Sequence, residues 1–405
     1  MARIILFTGK GGVGKTSIAA AHALKSAEEG KKSILVSADM AHNIGDIFQK
    51  RVGGEPAELA ENLWGLELDP DRMLREEFPE AAKAVRKLLL GSSAGAAELD
   101  DFPIPGFEDL FSLLKIAELH ESGEYDRIFV DCAPTGETLS LLKLPELLAW
   151  YMEKFFPVGK TMVRILAPVS KVKYHVELPD RKAMDEIGEM HEKLLALQSL
   201  LKDASTSSVR LVCTPEKMVV EETKRSCMYL TLYGYQLDGV FINRVIPEGT
   251  GNAFLEGWRN TQQGYIEELH RVFHGIPIAE IPWYPGEVRG REALERICGG
   301  VLTDPSLFEV RVHTDREMYS AIPGGYRLTI ALPGAAADEV KVSCRGLDLD
   351  IAAGNFLRRI PLPDTLRGIV PSEVKLEDGE LRISFLTESM PGEGKEPSED
   401  GGDEA

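Results

Sequence analysis

A glycine-rich octapeptide near the start of the chain constrains the fold more than any other segment. Residues 9–16 read Gly-Lys-Gly-Gly-Val-Gly-Lys-Thr and fit the phosphate-loop pattern G-x-x-x-x-G-K-[ST]. The apolar run Arg3–Phe7 precedes them, and an alanine-rich helical segment, Ser17–Lys25, follows. This strand–loop–helix order predicts a loop whose backbone N–H groups and helix N-terminus bind phosphate oxygens.

Two side chains carry the chemistry predicted for this loop. Lys15 would reach the terminal phosphates of ATP, and the Thr16 hydroxyl would ligate Mg²⁺. A glycine-rich turn with a chance lysine is the alternative, and the flanking pattern disfavours it. The nucleotide-binding residues predicted here are Gly9, Lys10, Gly11, Gly12, Val13, Gly14, Lys15, Thr16 and Ser17.

Charge and cysteine usage limit the class of protein. The 405 residues carry 46 Lys and Arg against 65 Asp and Glu, a formal net charge of −19. So acidic a chain is a poor binder of a phosphate backbone, and we expect no nucleic-acid partner. The five cysteines lack C-x-x-C spacing, which is typical of a reducing compartment. Because neither a signal segment nor about eighteen uninterrupted apolar residues is evident, we expect a cytoplasmic protein without a transmembrane segment.

Short apolar runs alternate with helical patterns over residues 1–300, the predicted ATPase domain. This alternation predicts an α/β fold, a doubly wound and mostly parallel sheet covered on both faces. Such a sheet binds ligands at the carboxyl ends of its strands, where the phosphate loop lies. The predicted strands are Arg3–Phe7, Ser33–Ser37, Trp64–Leu68, Arg127–Val130, Arg210–Cys213, Leu237–Ile242 and Ile276–Ile281.

Helical insertions interrupt this rhythm at residues 70–122 and 138–205 and form a predicted helical subdomain. The segment Leu139–Phe156 is apolar on more than one face, so it should be buried or pack against a partner. A helical stripe follows it, formed by Ile187, Met190, Leu194, Leu197 and Leu201. Internal packing is the favoured interpretation of the stripe. The alternative is a groove for hydrophobic clients lined by Met152, Met162, Met184 and Met190.

The pattern changes near residues 299–305, and residues 301–321 are predicted to be a linker. Residues 322–386 read as short alternating strands separated by turn signals, which predicts an all-β sandwich. Its predicted strands are Tyr326–Ala331, Glu339–Ser343, Leu347–Ile351, Phe356–Ile360 and Leu381–Phe385. The tail, residues 387–405, is rich in Gly, Pro, Glu and Asp and is predicted to be disordered.

Two aspartates follow predicted strands of the first domain. Asp39 comes after Ser33–Ser37, which we take as the strand next to the phosphate loop, and would position or activate the attacking water. The alternative role for Asp39 is to cap the next helix. Asp131 closes the run Arg127–Val130, where a carboxylate supports Mg²⁺ through a coordinated water.

Lys10, Asp39 and Asp131 lie in motifs that resemble the arsenical-pump and guided-entry (tail-anchored protein targeting) ATPase family. In that family the early lysine, here Lys10, reaches the nucleotide of a partner subunit, so the resemblance implies a homodimer. Residues 37–43, Ser-Ala-Asp-Met-Ala-His-Asn, are similar to the first switch, with Met40 in place of a proline. Residues 131–138, Asp-Cys-Ala-Pro-Thr-Gly-Glu-Thr, are similar to the second switch, with Cys132 and Glu137 as departures.

The resemblance extends to binding of the base. Gly136 of the second switch would bring its N–H near the γ-phosphate. Asn243, at the end of Leu237–Ile242, resembles the asparagine that contacts adenine. The segment Ile281–Gly290 resembles the adenine loop, which adds Pro282, Glu287 and Val288 as candidate contacts. Ordinary strand-end turn chemistry is an equal alternative for both elements.

The C-terminal segment, residues 322–386, resembles the α-crystallin domain of small heat-shock proteins. The resemblance rests on the turn Leu332-Pro333-Gly334 and the pair Leu362-Pro363. The chain departs from that domain after Phe385, because residues 387–405 lack the isoleucine-x-isoleucine or -valine tail motif that such proteins use for assembly.

Together these patterns predict a dimeric Mg²⁺-dependent ATPase. Its hydrolysis would open and close the helical subdomain to bind hydrophobic protein segments, with transient contact to membrane proteins. One alternative is an arsenite- or anion-transporting ATPase subunit, which the scattered cysteines disfavour. Another is a non-enzymatic, nucleotide-gated scaffold. ATP and Mg²⁺ are the expected cofactors, and without a C-x-x-C pair we expect neither zinc nor an iron–sulfur cluster.

Overall fold

The computed structural model describes residues 2–39, 43–68, 107–136, 138, 139, 142, 181–249, 251, 253–310, 318–345, 348–354, 356–366 and 368–386. They belong to two compact units, Met1–His313 and Thr314–Ala405. Met40, Glu137, Met152, Met162, the segment 143–180 and the tail 387–405 lie outside the described residues.

The first unit is built on a mostly parallel sheet, which confirms the predicted α/β class. Its strands are β1 (Arg3–Thr8), β2 (Ser33–Ser37), β3 (Ala57–Ala60), β4 (Leu63–Glu67), β5 (Arg127–Asp131), β6 (Ser207–Cys213), β7 (Leu237–Val245) and β8 (Ile278–Pro282). Their order is β3-β4-β2-β5-β1-β6-β7-β8, and β3 alone among these pairs runs antiparallel to its neighbour. The inner strands β1, β2 and β6 are almost wholly buried because helices cover both faces.

One prediction about this sheet is wrong in detail. The strand Ser33–Ser37, which precedes Asp39, is not the neighbour of the phosphate-loop strand. β5 lies between them and pairs with both β1 and β2. The non-local pairing of Arg127–Asp131 therefore brings Asp131, rather than Asp39, directly beside the end of β1.

Helices of the first unit cover the sheet. They are α1 (Lys15–Glu28), α2 (Ile44–Phe48), α3 (Phe107–Ser122), α4 (Arg181–Lys202), α5 (Lys217–Leu232), α6 (Ala253–Val272) and α7 (Arg291–Gly300). The small residues Ala19, Ala20, Ala21 and Ala23 of α1 are fully buried. Their size lets α1 sit between the sheet and α7, so the phosphate loop leads into a rigid element.

Described parts of the predicted helical subdomain are α3 and α4, which pack together. The stripe of α4 is buried at Met190, Leu194, Leu197 and Leu201, and α4 also contacts β6. This confirms internal packing for those four side chains. The side chains of Met184 and Ile187 are not among those that the structure describes.

The predicted linker, residues 301–321, differs from the structure at both ends. Leu302, Leu307 and Phe308 are buried in the first unit. Phe308 lies against Phe129 with ring centroids 5.7 Å apart, and the backbone oxygen of Leu307 accepts a hydrogen bond from Arg210. At the other end, residues from Met318 onward already form a strand. The glycines at 299 and 300 suggested the end of the domain, but they only end α7. The chain after them still packs against the first unit.

The strands described in the second unit pair antiparallel, which agrees with the predicted all-β class. The strands are β9 (Met318–Ile322), β10 (Gly325–Ala331), β11 (Val340–Arg345), β12 (Asp348–Ala353), β13 (Phe356–Pro361), β14 (Glu373–Glu377) and β15 (Glu380–Leu386). One sheet has the order β14-β15-β10-β9 and the other β11-β12-β13. Leu328, Ile351 and Phe385 are fully buried and come from both sheets, which is the arrangement of a sandwich.

Candidate nucleotide site

A cleft of about 980 Å³ opens at the carboxyl ends of the central strands. The phosphate loop and the start of α1 form its floor. One wall comes from Asp39 and α2, and the other from the end of β7 and the loop after β8. Predicted site residues that line it are Gly11, Gly12, Gly14, Lys15, Thr16, Ser17, Asp39, Asn243, Pro282, Glu287 and Val288.

Two glycines of the phosphate loop are required by space. A Cβ at Gly9 would overlap the backbone oxygen of Val212, at the end of β6. Gly14 has φ +99°, and a Cβ there would overlap the side-chain amide of Asn243. Val13 is buried beneath the loop. Gly9 and Val13 therefore shape the loop from below and do not line the cleft.

Asp131 lies beneath the loop and is the most unusual group of the site. It is fully buried, and burial raises the pKa of its carboxyl to about 7, although the Thr16 hydroxyl and the Lys15 ammonium act to lower it. Asp39 contributes a second, like charge that raises this pKa. Among the described residues, neither carboxylate oxygen of Asp131 has a hydrogen-bond partner of good geometry.

A buried carboxylate with too few well-placed donors costs free energy. A divalent cation with coordinated water would supply both the missing charge and the missing donors. The residues present therefore fit the predicted Mg²⁺ site, with the Thr16 hydroxyl as the direct ligand and Asp131 acting through water. That assignment stays a prediction.

The second switch lies against the phosphate loop. Cys132 is buried and its N–H donates to Phe7 in β1 at 3.0 Å, so the substituted cysteine packs in the sheet. The N–H of Thr135 donates to the backbone oxygen of Gly9 at 3.3 Å. Pro134 lines the cleft, whereas Gly136 is exposed and does not.

Lys10 is not among the residues that line the cleft. Its Nζ lies 3.5 Å from the Oε2 atom of Glu222, on α5, and its side chain is 37% exposed. The Thr135 hydroxyl donates to the other oxygen of Glu222. Sequence reasoning missed Glu222, because nothing in the sequence links a helix residue to a loop more than two hundred positions earlier.

Asn243, the candidate adenine contact, has a structural partner. Its side-chain Nδ2 donates to the backbone oxygen of Val13 at 2.8 Å, so the amide ties β7 to the phosphate loop. The next residue, Arg244, has φ +60°, an unusual backbone conformation for a non-glycine residue. Gln262 of α6 holds this bend by hydrogen bonds to the backbone of Arg244 and Ile246. Strain of this kind is common at binding sites.

The wall formed by residues 282–289 contacts the opposite wall at α2. Arg289 donates to the backbone oxygen of Asp46 at 3.3 Å, and the N–H of Gly290 donates to Ile47 at 2.7 Å. Trp283, which is 54% exposed, and Tyr284 offer aromatic faces to the same end of the cleft. The sequence signal that could have identified these two residues is their position between Pro282 and Pro285, at the end of a predicted strand.

Metal and membrane features are limited within the described residues. No group of three or more His, Cys, Asp and Glu side chains in that part of the chain could hold a metal ion. None of the helices described is both long and apolar enough to cross a membrane.

Loop, switches and cleft together define a P-loop ATPase, and sequence comparison gives its class. The chain belongs to the anion-transporting ATPase family, whose family model matches residues 2–303. A second family model, the HSP20-like domain found in ArsA, matches residues 323–385. Membership confirms the predicted family and the predicted ATPase activity, and ATPases of this family use ATP and Mg²⁺.

Individual relatives place the chain more closely. It is 34% identical over 396 residues to a putative arsenical pump-driving ATPase of Prosthecochloris vibrioformis, covering 96% of this chain and 97% of the relative. It is 35% identical over 300 residues to putative arsenical pump-driving ATPase 2 of Aquifex aeolicus, covering 72% and 97%. It is also 28% identical over 309 residues to the ATPase GET3 of Chaetomium globosum, covering 74% and 90%.

Proposed function

We propose that the chain acts as a homodimeric, Mg²⁺-dependent ATPase whose hydrolysis opens and closes the helical subdomain to bind and release apolar protein segments. The observation that carries this proposal is the anchoring of the chain that leaves the second switch. The Tyr229 hydroxyl, on α5, donates to the backbone oxygen of Leu139 at 2.6 Å. The Tyr235 hydroxyl donates to Leu142 at 2.6 Å. These bonds hold the start of the segment that follows the second switch against α5 and the residues after it, and this contact supports coupling between the second switch and that segment.

Within the cleft the roles divide by chemistry. Lys15 is 6% exposed and stabilises charge that develops on the transferred phosphoryl group. Asp39, on the cleft wall, orients the attacking water. Thr16 and Asp131 would hold Mg²⁺, which would neutralise charge on the phosphates. Gly136 does not line the cleft, so its N–H would reach the γ-phosphate only after the second switch moves. Asn243, Pro282, Glu287 and Val288 form the end of the cleft that takes the base.

The dimer part of the proposal concerns Lys10. This lysine reaches the partner's nucleotide across the subunit interface, and its exposed position outside its own cleft supports that role. The hydrophobic-client part is supported by the density of apolar residues from Leu139 to Phe156.

The experiment uses the full-length Asp39→Asn variant, which should bind ATP but turn it over at least about tenfold more slowly. Sedimentation with ATP should give a dimer, and a fluorescent apolar helix should be retained with ATP and released with ADP. Asp126→Asn, the same change at an exposed aspartate that does not line the cleft, is the matched control and should retain turnover. Equal turnover by wild type and Asp39→Asn would refute the role of Asp39, and a monomer with ATP would refute the trans role of Lys10.

The arsenite-driven alternative is favoured by the names of the pump-driving relatives. The described cysteines of the first unit disfavour it, because Cys132, Cys213, Cys227 and Cys298 are all buried. Burial raises the pKa of Cys213 and Cys227 to about 12, which opposes the thiolate form that a metalloid binds. An arsenite titration of ATP turnover decides the matter: stimulation supports the pump alternative, and a flat response dismisses it.

A further inference from the structure

Glu222 occupies a position between two loops of the nucleotide site. It lies on α5, with its side chain 28% exposed. One carboxylate oxygen is 3.5 Å from the ammonium of Lys10, in the phosphate loop. The other accepts a hydrogen bond from the hydroxyl of Thr135, in the second switch. A single carboxylate therefore joins the two segments that must respond to a nucleotide.

The neighbouring acidic residue of α5 shows that this arrangement is specific to position 222. Glu221 turns to the other side and pairs with Lys224 at 2.8 Å, and Lys224 also pairs with Glu268 at 2.6 Å. These contacts join α5 to α6 and leave the nucleotide loops untouched. Glu221 and Glu222 thus form a matched pair of carboxylates with different tasks.

The same helix continues the contact with the second switch. Tyr229 lies about two turns beyond Glu222 and holds the backbone of Leu139. Between these two contacts, the hydroxyl of Thr138 donates to the backbone of Ala133 and keeps the segment compact. Helix α5 thus contacts the second switch and the chain after it through Glu222 and Tyr229. Of these two residues, Glu222 also contacts the phosphate loop.

We propose that Glu222 is a positioning residue that holds Lys10 within its own subunit until a phosphate group displaces it. Lys10 carries one positive charge, so a phosphate oxygen and the Glu222 carboxylate compete for it. Displacement leaves Glu222 bound to Thr135 alone, which makes the contact between α5 and the second switch sensitive to the nucleotide. The inference rests on the proposed role of Lys10 in phosphate binding.

The test measures the affinity of the full-length protein for a non-hydrolysable ATP analogue with Mg²⁺. Glu222→Gln removes the competing charge but keeps an oxygen that can accept from Thr135. The analogue should bind about two- to fivefold more tightly, as expected from the strength of a partly exposed ion pair. The KM for ATP should fall in parallel while kcat changes by less than about twofold. The gain in affinity should shrink in high salt, because salt screens the ion pair.

Controls separate this inference from the proposal on which it depends. Glu221→Gln should leave the affinity unchanged, and thermal unfolding should show that both variants fold. In a Lys10→Ala background Glu222→Gln should have no effect. Unchanged or weaker binding by Glu222→Gln, or the same gain without Lys10, overturns the role of Glu222. If Lys10→Ala alone binds the analogue as tightly as wild type, the phosphate role of Lys10 fails instead.

Discussion

Two buried carboxylates, Asp131 in the first unit and Asp350 in the second, differ in the partners that hold them. In the first unit, Asp131 is fully buried beside the phosphate loop and its carboxylate lacks a good partner among the described residues. In the second unit, Asp350 is also buried, but Arg359 donates to both of its oxygens, at 2.7 and 3.1 Å. No buried side-chain nitrogen or oxygen in the described part of the second unit lacks a partner.

The two carboxylates therefore have opposite effects on the free energy of unfolding. Burial of Asp131 without well-placed donors destabilises the first unit, and a bound cation would compensate this cost. A carboxylate held by two hydrogen bonds from one guanidinium stabilises the unit that contains it. A bound cation would therefore stabilise the ionised form of Asp131, whereas Arg359 already stabilises that of Asp350.

The largest expected effect is on catalysis by the first unit. Lys15→Ala should lower kcat/KM for ATP by about 10²–10³-fold, because the loop loses the charge that stabilises the transferred phosphoryl group. Phosphate release by the full-length protein is the measurement. Lys341→Ala, an exposed lysine on β11, is the control and should change turnover by less than about twofold. If Lys15→Ala and Lys341→Ala lost the same fraction of kcat/KM, catalysis could not be assigned to the first unit.

Asp131→Asn should stabilise the nucleotide-free protein at pH 8. The folded-state pKa of Asp131 is raised from 3.8 to about 7, so ionisation of this carboxyl opposes folding above pH 3.8 and fully so above about pH 7. Removing the charge should raise the free energy of unfolding by at most about 4 kcal/mol at pH 8, and the gain should fade as the pH drops towards 4. The melting temperatures of both proteins across this pH range measure it.

Adding Mg²⁺-ATP should have a different effect on the stability of the wild type and of Asp131→Asn. The wild type should gain more thermal stability from Mg²⁺-ATP than Asp131→Asn does, because the ligand relieves the unpaired charge in the wild type alone. A variant less stable than the wild type at pH 8 without nucleotide would contradict the description of Asp131 as an unpaired group.

Asp350→Asn should have the opposite sign and a smaller size. Hydrogen bonds from Arg359 hold the pKa of Asp350 below its ordinary value. The stabilisation is therefore present above the unfolded-state pKa and is lost as the pH falls through the folded-state pKa. At pH 7 the variant should lose about 0.5–1 kcal/mol, and the loss should vanish in acid. The free energy of unfolding of the second unit, measured for both proteins across the same pH range, tests this prediction. A stabilising effect at pH 7 would contradict the pairing.

Local pattern was enough to predict much of the fold. The apolar runs at β1, β2 and β5 and the glycine-rich loop carry their own signals, since a buried parallel strand is apolar throughout. The edge strands β3, β9 and β14 gave no such signal, although the edge strands β8, β11 and β13 were predicted. β14, with the sequence Glu-Val-Lys-Leu-Glu, is mostly exposed and was not predicted. β3 and β9 were missed for the same reason, because an edge strand buries few side chains.

The site itself depends on non-local contacts that sequence spacing does not reveal. Pairing of β5 between β1 and β2 decides that Asp131 lies next to the loop and Asp39 one strand further away. The contact of Glu222 with Lys10 and that of Arg289 with Asp46 likewise join distant segments. The residue types were enough to predict the chemistry of the cleft. Which segments form its walls could be seen only in the folded structure.

The central claim is that the nucleotide state of the cleft controls the helical subdomain through α5. Backbone hydrogen exchange of full-length Asp39→Asn, with ATP and with ADP, tests it most directly. The account predicts that exchange in α3, α4 and residues 135–142 differs between the two nucleotides, while exchange in β10–β15 of the second unit stays the same. Identical exchange in α3 and α4 with ATP and with ADP would contradict the account.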